Sequence, residues 1–426
     1  MPIETFAASG ATKHTTSYYA ASANPAPVRP PLKGDQTVDV CVVGAGYSGL
    51  STALHLAEKG YKVAIIEGAQ VGWGASGRNG GQIVHGLNAS LQTIKKGYGQ
   101  DTANFVAGLV QEGGDIIRER VKTYDIKCDL KDGNIFVGLT PAHMKELEAR
   151  RTLWSSYGIN NQDMLDKSQL RDHIGSDLYE GGMIDHTGGH MHPLNLCLGE
   201  AAAFEQCGGV IYEQSPVSHA DSEAAKAVVK TAQGTMTCHT LVLCGNAYLG
   251  HVVPALTSRV MPVSTQMMAT APLDSAQAKA LLPTDKCVED VRYILDYYRL
   301  SGDNRLIFGG GTVYGGTDPS DVEAKLRPAL EKVYPRLKGV KIDHAWSALS
   351  FSRVPQMGRL GTNTYFAHGY SGHGVTGSHT FGRILADAID GDKTRFDVFA
   401  KVPWYPFPGG RMFRVPYSMV GSWYYA

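Results

Sequence analysis

Residues 38–67 read VDVCVVGAGYSGLSTALHLAEKGYKVAIIE. Val38 to Val43 is a continuous apolar run of strand length, Leu50, Leu54 and Ala57 recur at helical spacing, Gly60 ends that helix, and Val63 to Ile66 supply a second buried strand. Strand, helix and strand within about thirty residues make a β-α-β unit. The turn into the helix is Gly44-x-Gly46-x-x-Gly49. Gly44 permits the tight turn, Gly46 lets backbone N–H groups approach a pyrophosphate, and Gly49 allows the helix to pack on the strand. Tyr47 and Ser48 form the first turn of the helix, whose N-terminus then faces phosphate. Glu67 closes the second strand 23 residues after Gly44, followed by Gly68. A carboxylate there accepts hydrogen bonds from ribose hydroxyls and repels a 2′-phosphate, which disfavours NADP. The unit reads as a dinucleotide site rather than a purely structural glycine turn.

Downstream lies GAQVGWGASGRNGGQIVHG (68–86), with seven glycines and no apolar periodicity, where a NAD-dependent dehydrogenase would continue into another crossover helix. Residues 90–122 and 142–157 read as helices around a β-like stretch, Asn134 to Leu139. Pro193 opens a helix carrying Leu194, Cys197, Leu198 and Ala201 on one face, stopped by Gly208-Gly209 and followed by strand Val210 to Glu213. Ala227 to Thr231 and Thr235 to His239 flank Gln233-Gly234 as a hairpin, and Leu241 to Cys244 runs into Gly245-Asn246 as another buried strand. The stretch 260–315 is strand-rich, 321–337 is helical, and GYSGHGVTGSHTFGRILADAIDG (369–391) is a glycine loop opening a last helix. Residues 1–36, with Pro25, Pro27, Pro30 and Pro31, form an extended arm.

Composition bounds the partners. A chain of 426 residues with 43% hydrophobic content suits two packed cores. Lys+Arg and Asp+Glu balance at 40 each, so no net field draws the chain to nucleic acid or an anionic membrane, and a small-molecule partner is the expectation. The start MPIETFAASG carries no secretory pattern and nowhere do eighteen apolar residues run together, which leads us to expect a soluble cytoplasmic protein. The seven cysteines include no C-x-x-C pair and are expected to be reduced. The tail aromatics Trp404, Tyr405, Phe407, Trp423, Tyr424 and Tyr425 are expected to pack over the body.

The run from 74 to 86 resembles the loop of the D-amino-acid oxidase superfamily of flavoenzymes, in which G-x-S-x-x-N/G-G-G follows the first two strands and covers pyrophosphate and isoalloxazine. The resemblance implies FAD, with Ser76, Arg78, Asn79, Gly80, Gly81 and Gln82 in those roles. It extends over nearly the whole chain from about residue 36, through Val217 at the adenine position, the Gly245-Asn246 turn, and the loop Gly372-His373-Gly374-Val375-Thr376-Gly377. A helix N-terminus at that loop, aimed at the flavin N1–C2=O region, stabilises the negative charge of the reduced ring. The fold implied is α/β: a Rossmann-like FAD domain of the glutathione-reductase/D-amino-acid-oxidase type, with a second, antiparallel-sheet substrate domain. The expected boundaries are 37–95, 180–258 and 340–395 for the FAD domain, 96–179 and 259–339 for the substrate domain, and 396–426 for a tail packed on the body.

Within the superfamily, GASGRNGGQIVHG (74–86), DYYRLSGDNRLIFGGG (296–311) and VPWYPFPGGRMFRVP (402–416) are similar to γ-glutamylputrescine oxidase and its γ-glutamylpolyamine relatives. That similarity implies oxidation of the carbon beside a neutral amine, hydrolysis of the imine to an aldehyde, and reoxidation by O2 to peroxide. The substrate side then falls to His85, Tyr298, Arg299, Trp346 and His373, with Arg299 the candidate for a substrate carboxylate. One departure is informative: glycine- and α-amino-acid-oxidising relatives carry W-x-G-L-R-P, whose arginine grips the α-carboxylate, whereas this chain has Trp346-Ser347-Ala348-Leu349-Ser350-Phe351. Ser350 in the arginine's place favours an amine with no adjacent carboxylate over sarcosine or glycine. The region Phe351-Ser352-Arg353 lacks the cysteine of the covalent flavin link in sarcosine oxidases, so FAD is expected to be noncovalent. Asp185-His186-x-x-x-His190-x-His192 could suit zinc, but in the resembling family this stretch leads into the helix at Pro193, and no metal is expected. A dehydrogenase passing electrons to an acceptor other than O2 is the alternative within the same chemistry.

Overall fold

The computed structural model describes residues 13–87, 89–221, 226–250, 252–260, 262–314, 318–351, 355–402, 413 and 416–417. Ser352, Arg353 and all six tail aromatics named above therefore lie outside the described residues, as does most of the segment 402–416.

Two sheets organise the chain. The first runs in the order Gln356–Leu360, Thr364–His368, Gly234–Leu243, Gly34–Val43, Val63–Ile66, Val210–Tyr212. Apart from its antiparallel edge strand Gln356–Leu360, this path is parallel, and Ala227–Lys230 folds back on Gly234–Leu243 as the hairpin at Gln233-Gly234. Val40 to Val43 and Val63 to Ile66 are fully buried, which is why their apolar runs are continuous. The first strand begins at Gly34, four residues ahead of Val38, because Gly34 to Thr37 pair with Gly234 to Thr237. The helix Tyr47–Glu58 crosses between these strands and is buried on nearly every side, since the helices Pro193–Gln206 and Gly374–Ile389 cover the face turned from the sheet. Its approach to Gly374–Ile389 is close enough that a Cβ at Gly382 would stand 2.5 Å from the Ser51 Cβ.

The second sheet runs Ile342–Phe351, Pro262–Thr270, Leu306–Tyr314, Tyr297–Leu300, Cys287–Asp290, Lys131–Gly138, Gly181–His190, Gln82–Ile83. It is antiparallel except where Cys287–Asp290 runs parallel to Lys131–Gly138, so the sheet is mixed rather than wholly antiparallel. Gln82–Ile83, Gly181–His190 and Ile342–Phe351, which the expected boundaries group with the dinucleotide unit, pair in this second sheet. Backbone pairing and not chain order assigns them.

Its two faces differ. One carries Ile135, Val137, Ile184, Val288, Tyr298 and Phe308 into a core with Leu281, Leu330 and Tyr334. The opposite face turns to the glycine-rich loop and presents, in register across the strands, Trp346, Met267, Gly309, Tyr297, Glu289, Phe136 and Met183. No described helix is long and apolar enough to cross a membrane.

The described part of the arm lies along this junction. Trp73 Nε1 donates to Lys13 O at 2.7 Å, Tyr19 is wholly buried, Arg29 forms an ion pair with Glu205, and Leu32 N donates to Ser215 Oγ.

Candidate cofactor and substrate site

The glycine turn is built as its spacing requires. Gly44 has φ +107°, and a Cβ there would lie 2.9 Å from the Cys244 carbonyl oxygen. At Gly49 a Cβ would lie 1.9 Å from Gly44 O, so the helix rests directly on the turn. Gly46 is the N-cap and offers no side-chain acceptor to the first-turn amides. Tyr47 N donates instead to Ser76 Oγ at 3.0 Å, from the glycine-rich loop, and Tyr47 OH donates to Pro193 O. The half-buried Glu67 carboxylate receives Ala45 N at 2.7 Å and Ala69 N at 2.8 Å; burial raises its pKa against the pull of those amides and that of Gly68. Val217 is partly buried against the core cluster of the first sheet, and Asn246, at φ +46°, accepts from Gly369 N. An open helix N-terminus with a carboxylate at the end of the next strand fits the ADP half of FAD.

The loop after Glu67 is self-bracing. Asn79 Nδ2 donates to Ala75 O and Ser76 O while its Oδ1 accepts Gly81 N at 2.8 Å. Gly81 has φ +74°, and a Cβ there would sit 2.2 Å from Met191 O. Gln82 Nε2 donates to Val288 O in the second sheet. Arg78 stacks on Trp73 with Cζ 4.1 Å from the ring centroid, and burial lowers its pKa. Its Nε is sealed from solvent with no partner among the described residues. An orphaned buried cationic donor beside an anion-binding helix N-terminus fits a ligand with phosphate or carbonyl oxygens.

The third segment is the loop before the helix Gly374–Ile389. Ser371 and Gly372 have φ +47° and +89°, which turns the chain so that His373 caps the helix. Burial, with the Arg150 cation adding to it, pushes the His373 imidazole down to about 4, so it is neutral near pH 7. Val375 is buried, and Thr376 Oγ1 donates to Val84 O at 2.8 Å, tying this helix to the end of the glycine-rich loop. Behind it, Arg120 and His379 converge on one oxygen of Glu200, at 2.7 and 2.9 Å, with all three side chains buried. Arg120 also donates to Ser51 O of the dinucleotide helix.

The residues expected to face substrate do not share one surface. Tyr298 points into the core on the far face, stacked on Phe308 and hydrogen-bonded to Tyr179 OH at 3.1 Å; its neighbour Tyr297 is the one on the loop side, because side chains alternate along a strand. Arg299 shares that side but is buried, donating to Gly80 O at 2.7 Å, Leu300 O at 2.9 Å and Tyr19 OH at 3.0 Å. Gripping a carboxylate would require exchanging those bonds; in place, they clamp the loop. Trp346 does the same, its Nε1 donating to Arg78 O at 2.9 Å and its ring meeting Tyr19 edge-on. His85 is buried with Nδ1 against Val110 O, its ring filling the space beside Gly114, while Nε2 has no partner among the described residues. Ser350 sits on the strand Ile342–Phe351 opposite Val263. His186, His190 and His192 go separately to Asp163, to Asp285 O and to the Asn195 amide.

Sequence reasoning passed over Tyr19, Arg150, Glu289 and Tyr297. Glu289 alone left a signal, as a carboxylate in an otherwise apolar strand start, Cys287-Val288-Glu289.

Residues 39–388 match the family model DAO, described as FAD dependent oxidoreductase. The chain is 49% identical over 419 residues to a γ-glutamylputrescine oxidoreductase of Escherichia coli, covering 97% of this chain and 98% of that protein. Among solved structures it superposes on glycine oxidase from Geobacillus kaustophilus with a TM-score of 0.71 at 22% identity, covering 87% of this chain and 99% of that one. It superposes on L-proline dehydrogenase from P. horikoshii with a TM-score of 0.70 at 19% identity, covering 86% and 96%. At those identities the likeness speaks for the fold alone.

Proposed function

The chain belongs to the DAO family of FAD-dependent oxidoreductases, and from that premise we propose that it oxidises the free amine end of γ-glutamylputrescine or a related γ-glutamylpolyamine. The observation that carries the reading is the 49% identity to the γ-glutamylputrescine oxidoreductase of Escherichia coli, sustained over 97% of the chain and so over both sheets. The loop-facing side of the second sheet agrees with it: the Tyr297 ring lies against Gly80 of the glycine-rich loop, and an aromatic wall there suits an aliphatic diamine chain. Ser350, at the place where glycine- and α-amino-acid-oxidising relatives are expected to carry an arginine, has no cationic side chain.

FAD, when bound, supplies the two-electron acceptor. The protein's share is placement and dielectric. Trp346 and Arg299 fix the carbonyls of Arg78 and Gly80, which braces the glycine-rich loop that would hold the cofactor. The amine must be unprotonated when its neighbouring C–H bond breaks, and exclusion of water around the reacting carbon disfavours the ammonium form by desolvation. The helix opening at Gly374 brings positive potential to the site while the neutral His373 adds no competing charge. The amine, O2 and water are converted to aldehyde, ammonia and hydrogen peroxide, with water entering at the imine carbon.

The test is anaerobic mixing of the yellow holoprotein with γ-glutamylputrescine, putrescine, sarcosine and glycine, then readmission of air. Bleaching by the glutamylated amine, followed by recovery of colour with stoichiometric peroxide, is expected. Bleaching by glycine or sarcosine but not by γ-glutamylputrescine would overturn the substrate reading. Flavin that stays reduced in air would make the protein a dehydrogenase.

A further inference from the structure

We propose that Arg150 and Glu289 together form a subsite for the α-amino-acid head of a γ-glutamyl group, Arg150 taking its carboxylate and Glu289 its ammonium. This deepens the functional reading above and rests on it.

Arg150 lies on the helix Pro141–Ser155, and its guanidinium carbon is over two aromatic rings, 4.1 Å from the Phe136 centroid and 4.8 Å from that of Trp154. Phe136 is the in-register partner of Glu289 in the parallel pair, so the two side chains rise next to each other from the loop-facing side. On its other flank Glu289 pairs with Tyr297, whose ring covers Gly80 so closely that a Cβ there would lie 2.7 Å from it. Glu289 thus stands between the bed of Arg150 and the loop expected to cover the flavin.

Both charged groups are half-buried, and among the described residues neither has a hydrogen-bond or ion-pair partner. A carboxylate set among Phe136 and Tyr297 without a partner costs stability. Burial pushes Glu289 up to about 7 although Arg150 is near enough to pull it down, and Arg150 also acts on His373. A cation and an anion near each other yet unpaired complement a ligand bearing both charges on one carbon. A γ-glutamyl amine has that head, and its oxidisable amine is at the other end of the molecule. The subsite therefore belongs away from the reacting carbon. Arg299, the other cation on this face, already donates to Gly80 O, Leu300 O and Tyr19.

The holoenzyme is assayed with γ-glutamylputrescine, with glutarylputrescine, which lacks the α-ammonium, and with 4-aminobutyrylputrescine, which lacks the α-carboxylate. Glu289→Gln and Arg150→Gln should each raise KM for γ-glutamylputrescine on the order of 10–100-fold, with the effect on KM and not kcat. Glu289→Gln should abolish the preference for the parent over the glutaryl compound, and Arg150→Gln the preference over the aminobutyryl compound. An equal rise in KM for all three substrates, or no rise, overturns the proposal. Arg150→Lys, which keeps the charge without the fork, should fall between wild type and Arg150→Gln, and wild-type FAD content in each variant shows that the fold is kept. A readout free of turnover is γ-glutamylethylamide, which has the head and no oxidisable amine. It should perturb the flavin absorbance of wild type and bind at least about tenfold more weakly to Arg150→Gln. No binding to wild type overturns the subsite; binding without bleaching by any polyamine leaves the subsite standing and overturns the proposed reaction.

Discussion

Replacing Arg120 by Met strips Glu200 of its arginine partner in a fully enclosed site, where side-chain exposures are 3% for Arg120 and 0% for Glu200 and His379. Burial by itself would raise the Glu200 pKa, but His379 and Arg120 outweigh it and hold the group at about 2 against an ordinary 4.5. The difference corresponds to about 3 kcal/mol favouring the folded state. Because the folded pKa is the lower one, this contribution is complete above pH 4.5 and is lost as pH falls from there toward 2. Arg120→Met should therefore cost about 3–5 kcal/mol at pH 7, the usual penalty for uncovering a buried charge. Glu200→Gln in the same chain should recover part of that loss, giving a coupling of about 1–3 kcal/mol. Urea unfolding of the holoprotein followed by circular dichroism, repeated from pH 7 to pH 3, measures both quantities. A penalty for Arg120→Met within about 1 kcal/mol, strict additivity in the double variant, or an acid slope in Glu200→Gln equal to wild type would refute the reasoning.

Gly49→Ala should leave a chain that binds no FAD, because its Cβ would fall 1.9 Å from Gly44 O and the helix must lift off the turn; absorbance at 450 nm after purification checks this. Trp346→Phe removes the hydrogen bond to Arg78 O and should weaken FAD binding by about 1 kcal/mol, read as a rise in the cofactor dissociation constant by equilibrium dialysis. Tyr298→Phe should lower stability while leaving KM alone, whereas Tyr297→Leu should raise KM; reversed outcomes would mean that the strand faces are misassigned. Acid precipitation should release the yellow colour into the supernatant, and colour in the pellet would refute noncovalent FAD.

The parts of this structure that were legible beforehand are those written in short-range order. Val38 to Glu67 declare strand, turn and helix through periodicity and three glycines, and the structure shows a steric reason at each: a carbonyl beside Gly44, the Ser76 hydroxyl beside Gly46, a carbonyl beside Gly49. The hairpin at Gln233-Gly234 and the helix at Pro193 are local in the same sense. What was not legible depends on which side of a strand the rest of the chain covers. Tyr297 and Tyr298 are chemically alike and adjacent, and only the packing of Tyr334 and Tyr179 against one of them decides which faces the loop. Arg150 sits in a helix whose neighbours are solvated, and Phe136 and Trp154 turn it inward through contacts that no helical pattern encodes. Arg299 was picked out as a cation on the right strand, but the partners that occupy it come from residues 19 and 80.

The bond from Arg299 to Tyr19 spans 280 positions of the chain. During synthesis Tyr19 must wait, undocked, until the 280 positions that separate it from Arg299 have followed it. Contacts of such long range are slow to form, because the entropy of closing the loop is lost before any contact returns it. The clamp on the glycine loop is thus expected to assemble late, after Arg299 has been made and well after the dinucleotide motif. A tag fused to the N-terminus would burden that final docking step, and a yield of colourless protein at high expression rates is the form the burden would take.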